Sequence, residues 1–281
     1  MIRAYHQPSA VEEALALVAR GAVPVAGATG LYTGRSRREA ELVDLTGLGL
    51  DTIGIHDDRI EIGATVSLQQ LAMASSLPGM EGALLRRCCR HVASRPLRNM
   101  ITAAGNVAHS VYWADLPVAL LALDASLEVR RVGASPALVP IADATHGGKH
   151  AWDGGLITRI VVPRRAGTLS FGYERFTRTA TDYSLSTACV TLRVDGSSAR
   201  DVRFVVGAVS ARPTRLVPVE AALEGSALSD DAISRALAAL DRELPIAPNY
   251  RAPAEYRREL TQVLARRALE TARTWAAREN P

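Results

Sequence analysis

Cysteine is scarce: the 281 residues hold three, Cys88, Cys89 and Cys189. A vicinal pair with one distant thiol is no disulfide framework. An iron–sulfur cluster needs a full set of thiolates at defined spacing, so any such cluster would lie on another chain. Cys88, Cys89 and His91 make a poor metal site, because neighbouring helix positions project about 100° apart. An excess of charge is missing as well. The formal net charge is +4, and the basic residues are scattered among acidic ones. That argues against nucleic acid as a partner, since a phosphate-tracking protein concentrates Lys and Arg on one face. The densest basic cluster, Arg35, Arg37 and Arg38, reads as a solvated loop. No stretch approaches the roughly 18–20 apolar residues of a membrane span. The opening Met1-Ile-Arg-Ala-Tyr-His6 lacks the charged and apolar regions of a signal peptide, so a cytoplasmic protein is expected. Repeats and low-complexity segments are absent too.

What is there is ordinary globular material. Hydrophobic residues make up 48% and charged residues 22%, enough apolar side chain for several packed layers. The length exceeds a typical domain of about 100–200 residues, which predicts two or three compact units. Ser9 and Glu12, ahead of Ala14, Leu15, Leu17 and Val18, form a capping box that opens an amphipathic helix ending near Gly21. With Pro24-Val25-Ala26 and Glu41–Leu45 as strands, this is a strand–helix–strand unit. Ile53 and Ile55 alternate before Asp57-Asp58, and Ile60 and Ile62 after it, as in a hairpin. Ser67 with Gln70 caps a second helix to about Ser75. Further helices follow at Glu81–Val92, from Pro96 and at Val118–Leu123, then strands at Ser126–Val132 and Leu156–Val162.

Beyond about residue 165 the pattern changes. Leu169–Phe176, Ser184–Val194 and Val202–Ser210 read as strands, followed by helices at about 216–223, 230–242 and 253–278. Tyr256, Leu260, Val263 and Leu264 form the apolar stripe of the last helix, with Arg257, Arg258, Arg266 and Arg267 on its polar face. The expected class is α+β. It has an N-terminal region over 1–165, in parts of about 1–55 and 56–165, and a C-terminal domain over 166–281 built from a three-stranded antiparallel sheet and a helix bundle.

Two loops of small residues, Ala26-Gly27-Ala28-Thr29-Gly30 and Thr102-Ala103-Ala104-Gly105-Asn106, stand where an extended apolar run meets a helix-like segment. Successive backbone N–H groups in a tight turn make an anion-binding concavity, and they reach phosphate oxygens only where side chains are small. One glycine-rich turn is more often just a turn. Two of them, followed by Ala114-Asp115-Leu116-Pro117, point to paired cradles for a pyrophosphate. No nucleophile–base pair is recognisable, so no catalytic residue is expected. His146 and His150 flank Gly147-Gly148-Lys149 as the ends of a turn between strands, not as metal ligands.

Taken in order, the motifs are Val25–Leu31, Ile60–Thr65, Leu97–Met100 leading to Thr102–Asn106, Ala114–Pro117 with Leu120–Ala125, Arg178–Tyr183, and Ala254–Arg258 with Leu264–Arg267. This set spans nearly the whole chain and resembles the FAD-binding medium subunit of the molybdenum hydroxylases, the family of carbon monoxide dehydrogenase and xanthine dehydrogenase. The resemblance implies a two-part FAD-binding region followed by a domain that closes over the flavin. It implies that Ala26, Gly27, Ala28, Thr29, Gly30 and Leu31, with Thr102, Ala104, Gly105 and Asn106, hold the FAD pyrophosphate, Thr29 and Asn106 adding side-chain bonds. Asp115 would accept from a hydroxyl or ribose group of FAD. Asp182 and Tyr183 would lie near the flavin ring, on whose edge an aromatic side chain packs. Without the resemblance, Asp115 reads as a cap of the following helix and Tyr183 as an ordinary strand residue.

The implied function is electron transfer within an oxidoreductase hetero-oligomer. A large molybdenum-cofactor subunit hydroxylates the substrate, a small iron–sulfur subunit carries electrons, and the flavin on this chain passes them to a final acceptor. Four departures from the family pattern stand out. Its Gly-Gly pairs are here Gly27-Ala28 and Ala104-Gly105, Gly30 replaces a commonly polar residue, and Tyr112 and Trp113 are bulky where small residues or proline are typical. A positive φ at either alanine would cost about 1 kcal/mol. Two other readings are a stand-alone flavoprotein with another electron donor and a scaffold that kept the fold without the cofactor. As a loop carboxylate, Asp115 is expected to be removable without unfolding the chain.

Overall fold

A computed structural model describes residues 2–31, 40–109, 111–146, 149–164, 167, 169–247 and 249–279. The Arg35, Arg37 and Arg38 cluster and the Gly147-Gly148 pair lie outside the described residues. The chain runs through β1 (Ile2–His6), α1 (Val11–Ala19), β2 (Val23–Val25), β3 (Ala40–Asp44), β4 (Ile53–Ile55), β5 (Arg59–Gly63), α2 (Leu68–Met73), α3 (Gly79–Arg90), α4 (Arg95–Met100), α5 (Ala103–Ala108) and α6 (Leu116–Ala122). It continues through β6 (Ser126–Arg130), β7 (Ala137–Pro140), β8 (Thr145–His146), β9 (Lys149–His150) and β10 (Leu156–Pro163). The last elements are β11 (Leu169–Phe176), β12 (Ser186–Asp195), β13 (Ser198–Gly207), β14 (Thr214–Arg215), α7 (Val217–Leu223), α8 (Asp230–Glu243) and α9 (Ala254–Glu279). Met1–Met73, Ser94–His109 and Asp124–Arg164 form one compact unit, and Ala74–Ala93, Ser110–Leu123 and Arg165–Pro281 the other.

The first unit holds two larger sheets. In one, β1 and β2 both pair with β3 in parallel, in the order β1-β3-β2. Parallel neighbours need a crossover, and α1 buries Ala14, Leu15, Leu17 and Val18 with Val43 and Leu45. The cap of α1 differs from the expected box. Ala10 is the N-cap and has no side-chain acceptor, while the Ser9 N–H donates to Glu13 Oε2 at 3.1 Å, one residue beyond Glu12. The other sheet is antiparallel in the order β4-β5-β10-β6-β7. Its first hairpin pairs Ile53 with Ile62 and Ile55 with Ile60, as the alternation predicts. β7 is an edge strand whose residues are mostly exposed, so it has no alternation to betray it. α2 opens on the reciprocal cap expected of Ser67 and Gln70. The Ser67 N–H donates to Gln70 Oε1 at 2.8 Å, and the Gln70 N–H to Ser67 Oγ at 3.1 Å. β8 and β9 pair antiparallel, Thr145 with His150 and His146 with Lys149, and the His150 ring stacks on Trp152 at 4.6 Å.

The second unit is a layered α/β/α stack. Its antiparallel sheet runs β11-β12-β13-β14, four strands where three are expected, because β14 is only two residues long. Strand residues alternate between two helical layers. Gly172 faces α9, where an added Cβ would stand 1.8 Å from Ala268 O, so the helix backbone lies directly on the strand. The neighbouring Tyr173 carbonyl accepts from Arg87 of α3 at 3.2 Å. On β12, Ala188, Val190 and Leu192 join the core formed with α7, α8 and α9, while Thr191 donates to Ala122 O of α6 at 2.6 Å. α3 and α6, expected among the N-terminal elements, therefore pack on this C-terminal sheet. All three cysteines are buried and free.

The apolar stripe of α9 is rotated from the expected one. Tyr256 and Val263 are 45% and 47% exposed, and Arg257 is fully buried. Close approach at Gly172 selects small side chains, so Thr261, Ala265, Ala268 and Ala272 face inward with Leu264 and Leu269. The Arg257 guanidinium donates to the Ala208 carbonyl at 3.1 Å and to the Ala247 carbonyl. Among the described residues no helix is long and apolar enough to cross a membrane.

Candidate functional site

The two small-residue loops meet within the first unit. The first leaves β2 at Val25, and a Cβ at Gly27 would fall 1.5 Å from the Met100 carbonyl oxygen. Only glycine permits that approach of one backbone to another. Gly30 faces the His109 ring, whose Cδ2 would stand 2.8 Å from an added Cβ. The first loop is thus seated between the end of α4 and the end of α5. Ala28 between them has φ +55°, the left-handed region that disfavours a residue with a Cβ. The Leu31 N–H closes the turn onto Ala28 O at 3.1 Å.

The second loop is the N-terminus of α5. Thr102 bridges to Ser67, the Ala103 N–H donates to Val66 O at 2.8 Å and the Ala104 N–H to Ala64 O at 3.1 Å. Ala104 lies inside a helix, so it bears none of the strain of Ala28. Its N–H is already committed to the sheet side, which removes it from the expected row of phosphate donors. The Asn106 N–H belongs to the helix, donating to Thr102 O at 2.8 Å. Among the described residues the Gly105 N–H has no acceptor, and Thr102 Oγ1 lies 2.6 Å from where a Gly105 Cβ would be. The buried side-chain atoms without a partner among the described residues include Asn106 Oδ1, on α5 itself, and Thr65 Oγ1, on the residue that follows the Ala64 carbonyl bonded by Ala104. Buried polar atoms are ordinarily paired, so the donors and acceptors left over here fit a polar ligand such as a pyrophosphate. Thr65 closes the Ile60–Thr65 motif but was not assigned to the site, because the motif reads as a strand and its last residue carries no separate signal.

The second unit brings Asp115, Asp182 and Tyr183 together. Asp115 stands at the N-cap of α6, yet its side chain makes no cap bond. Its Oδ1 accepts from Ser184 Oγ at 3.0 Å and Thr187 Oγ1 at 3.2 Å, and Oδ2 lies 3.5 Å from Arg175 Nε. It is 3% exposed, which corrects the expectation of a removable loop carboxylate. Burial, reinforced by the Asp115 charge, pushes the neighbouring Tyr173 phenol well above its ordinary range. Arg175 also donates to Ser184 Oγ at 3.0 Å, to Asp182 O at 3.0 Å and to the His91 carbonyl. Burial and the Arg175 charge hold the His91 imidazole below its usual range.

Asp182 and Tyr183 lie on the turn between β11 and β12. The Tyr183 N–H donates to Asp182 Oδ1 at 2.7 Å. Asp182 Oδ2 pairs with Arg251 at 2.9 Å, and Arg251 also donates to Tyr183 O at 2.9 Å and Ser184 O at 3.2 Å. The Tyr183 ring meets Trp113 at 4.7 Å between centroids, tilted by 31°, and Trp113 in turn makes a T-shaped contact with Tyr112 at 4.6 Å. Arg175, Ser184, Thr187 and Arg251 were not foreseen as site residues. No local motif marks Arg251, since it reaches Asp182 across 69 positions of sequence. Among the described residues no group of three or more His, Cys, Asp or Glu is placed to hold a metal ion.

Comparison with known proteins agrees with this geometry. Residues 1–165 match the FAD binding domain in molybdopterin dehydrogenase, and residues 171–272 the CO dehydrogenase flavoprotein C-terminal domain. The carbon monoxide dehydrogenase medium chain of Afipia carboxidovorans is 30% identical over 285 residues, which cover 97% of each chain. The nicotine 6-hydroxylase medium subunit of Paenarthrobacter nicotinovorans is 29% identical over 278 residues, covering 94% of this chain and 95% of that one. Among solved structures, a chain of the Cu,Mo-CO dehydrogenase in its cyanide-inactivated form superposes with a TM-score of 0.90 at 27% identity, over 98% of both chains. The chain therefore belongs to the family of FAD-binding domains of molybdopterin dehydrogenases, as a medium-chain flavoprotein with the C-terminal domain of the CO dehydrogenase flavoproteins.

Proposed function

We propose that this chain is the FAD-carrying electron-transfer subunit of a molybdenum hydroxylase complex. The observation that carries the reading is the seat of Gly27 on the Met100 carbonyl, together with a Gly105 N–H and Thr65 and Asn106 side-chain atoms that have no partner among the described residues. In this reading Ala26–Leu31 and Thr102–Asn106 hold the pyrophosphate. Gly105 and the N–H groups of Gly27, Ala28 and Thr29 in the first loop are the donors, the Leu31 N–H being committed to Ala28 O. The Asn106 amide, whose two ends interchange by a half-turn, offers a donor or an acceptor as the ligand requires. Asp182 and Tyr183 act on the flavin ring, and Asp115 holds their turn in place through Ser184 and Arg175. FAD, when bound, supplies the carrier that takes up electrons and passes them on.

The partners proposed are an iron–sulfur small subunit and a molybdenum-cofactor large subunit. The medium-chain and medium-subunit names of the relatives support partners of this kind. The absence of a catalytic nucleophile–base pair in the sequence fits a chain that carries electrons and leaves the bond-making to another subunit. The test is the visible absorption spectrum of the purified chain, before and after added FAD. A flavin spectrum with FAD released on denaturation is expected. A colourless chain that takes up no added FAD would favour the cofactor-free scaffold. Bound FAD reduced by NADH without partner subunits would favour a stand-alone flavoprotein.

A further inference from the structure

We propose that Trp113 is a positioning residue for Tyr183, holding the phenol ring ready for the flavin; the inference rests on the FAD-carrying reading above. Tyr183 is 51% exposed, and an exposed tyrosine on a turn has its side-chain rotamers free. The bonds from Arg251 and Asp182 clamp its backbone and leave the ring to turn. What limits the ring is the Trp113 indole at 4.7 Å, together with the Arg251 guanidinium at 5.6 Å from the ring centroid. The indole is itself set by the Tyr112 ring, in the T-shaped geometry that aromatic pairs favour.

The same two segments of chain meet twice. Trp113 lies two residues before Asp115, and Tyr183 one residue before Ser184, so the aromatic pair and the Asp115–Ser184 hydrogen bond lock one another in register. Arg251 ties the arrangement from a third segment through Asp182. A ring fixed before its ligand arrives spares the binding step the entropy of ordering it. Trp113 thus acts on FAD affinity and on the surroundings of the flavin through Tyr183, with no contact of its own required.

A double-mutant cycle on the full chain tests this, with W113A, W113F, Y183A and W113A/Y183A. The readouts are the FAD dissociation constant, the emission of the bound flavin, and the thermal midpoint of the apoprotein. W113A should weaken FAD about threefold to tenfold, the range an aromatic pair supports, and should brighten the bound flavin as the phenol moves away. W113F should restore most of both effects. In the Y183A background W113A should change neither, because neighbours that act as one unit are not additive. Equal loss of affinity with and without Tyr183 would overturn the inference, as would unchanged affinity and emission in W113A. If W113A does not fold, W113L against W113F makes the same comparison of a ring with an aliphatic filler. Failure of the natural chain to bind FAD at all would overturn the FAD-carrying reading, and this inference with it.

Discussion

Ala28 is the second residue of the Gly27-Ala28 pair and Ala104 the first of the Ala104-Gly105 pair, and the backbone sets them further apart. Ala28 sits at φ +55°, whereas Ala104 is the second residue of α5. Glycine at position 28 relieves a left-handed strain of about 1 kcal/mol and gives back about 0.4–1 kcal/mol through the greater freedom of the unfolded chain. Glycine at position 104 relieves nothing and costs about 0.8–1 kcal/mol of helix propensity. Thermal unfolding followed by circular dichroism should therefore leave A28G within about 2 °C of the natural chain and lower A104G by about 2–4 °C. A drop in A28G as large as in A104G would mean that position 28 does not need its left-handed conformation. Asp115 makes the opposite case, a residue whose loop position hides its burial. Its carboxylate accepts from two hydroxyls and stands by Arg175, and removing one member of a buried charged network costs about 3–5 kcal/mol. Urea unfolding should show D115A destabilised by about that amount, with D115N affected less. A neutral D115A would restore the picture of a removable ligand-binding carboxylate.

At the scale of elements, what could be read from sequence is what depends on neighbours in sequence. The Ser67–Gln70 cap and the Ile53–Ile62 hairpin are set by residues within a few positions, and both form as the pattern predicts. The α9 stripe is misread because an apolar count favours Tyr256 and Val263, while the strand beneath, bare at Gly172, selects alanines and admits Arg257. The two loops of the site stand out because small residues are rare in such density, whereas Arg175 reaches Asp115, and Arg251 reaches Asp182, over sequence distances no local pattern encodes. Acid stability belongs to this scale as well. On β5, Glu61 accepts from Arg59 at 2.7 Å and from Arg159 of β10 at 2.6 Å. The Arg59 bond, with Arg159 adding to it, outweighs burial and holds the carboxyl below its usual range. A carboxylate depressed in the folded state contributes stability above its unfolded value of about 4.3, and loses it as pH falls through the folded value. Urea midpoints measured from about pH 5 to about pH 3 should fall more steeply for the natural chain than for E61Q. Parallel curves would show that the β5–β10 ion pairs do not stabilise the sheet.

For the whole molecule, sequence division and spatial division differ. The family matches divide the chain into residues 1–165 and 171–272. In space, Ala74–Ala93 and Ser110–Leu123 belong with the C-terminal segment. The reason is the apolar content of α3 and α6. Leu84, Leu85, Cys88 and Cys89 of α3 are fully buried, as are Leu116, Val118, Ala119 and Leu120 of α6. The strands that cover them, β11 to β13, all follow residue 165. Each Leu or Val left in water forfeits about 1.5–3 kcal/mol of burial, and a domain's whole stability is only about 5–15 kcal/mol. A fragment ending at residue 165 should therefore expose both helices, bind a dye specific for apolar surface and elute as aggregate in size-exclusion chromatography. The full chain, passing repeatedly between the units, should unfold in one transition seen alike by fluorescence and circular dichroism. A monomeric 1–165 fragment with native circular dichroism and no dye binding would show that α3 and α6 find other cover. The FAD-binding region would then be a folding unit in its own right, and the sheet of the second unit an addition to it.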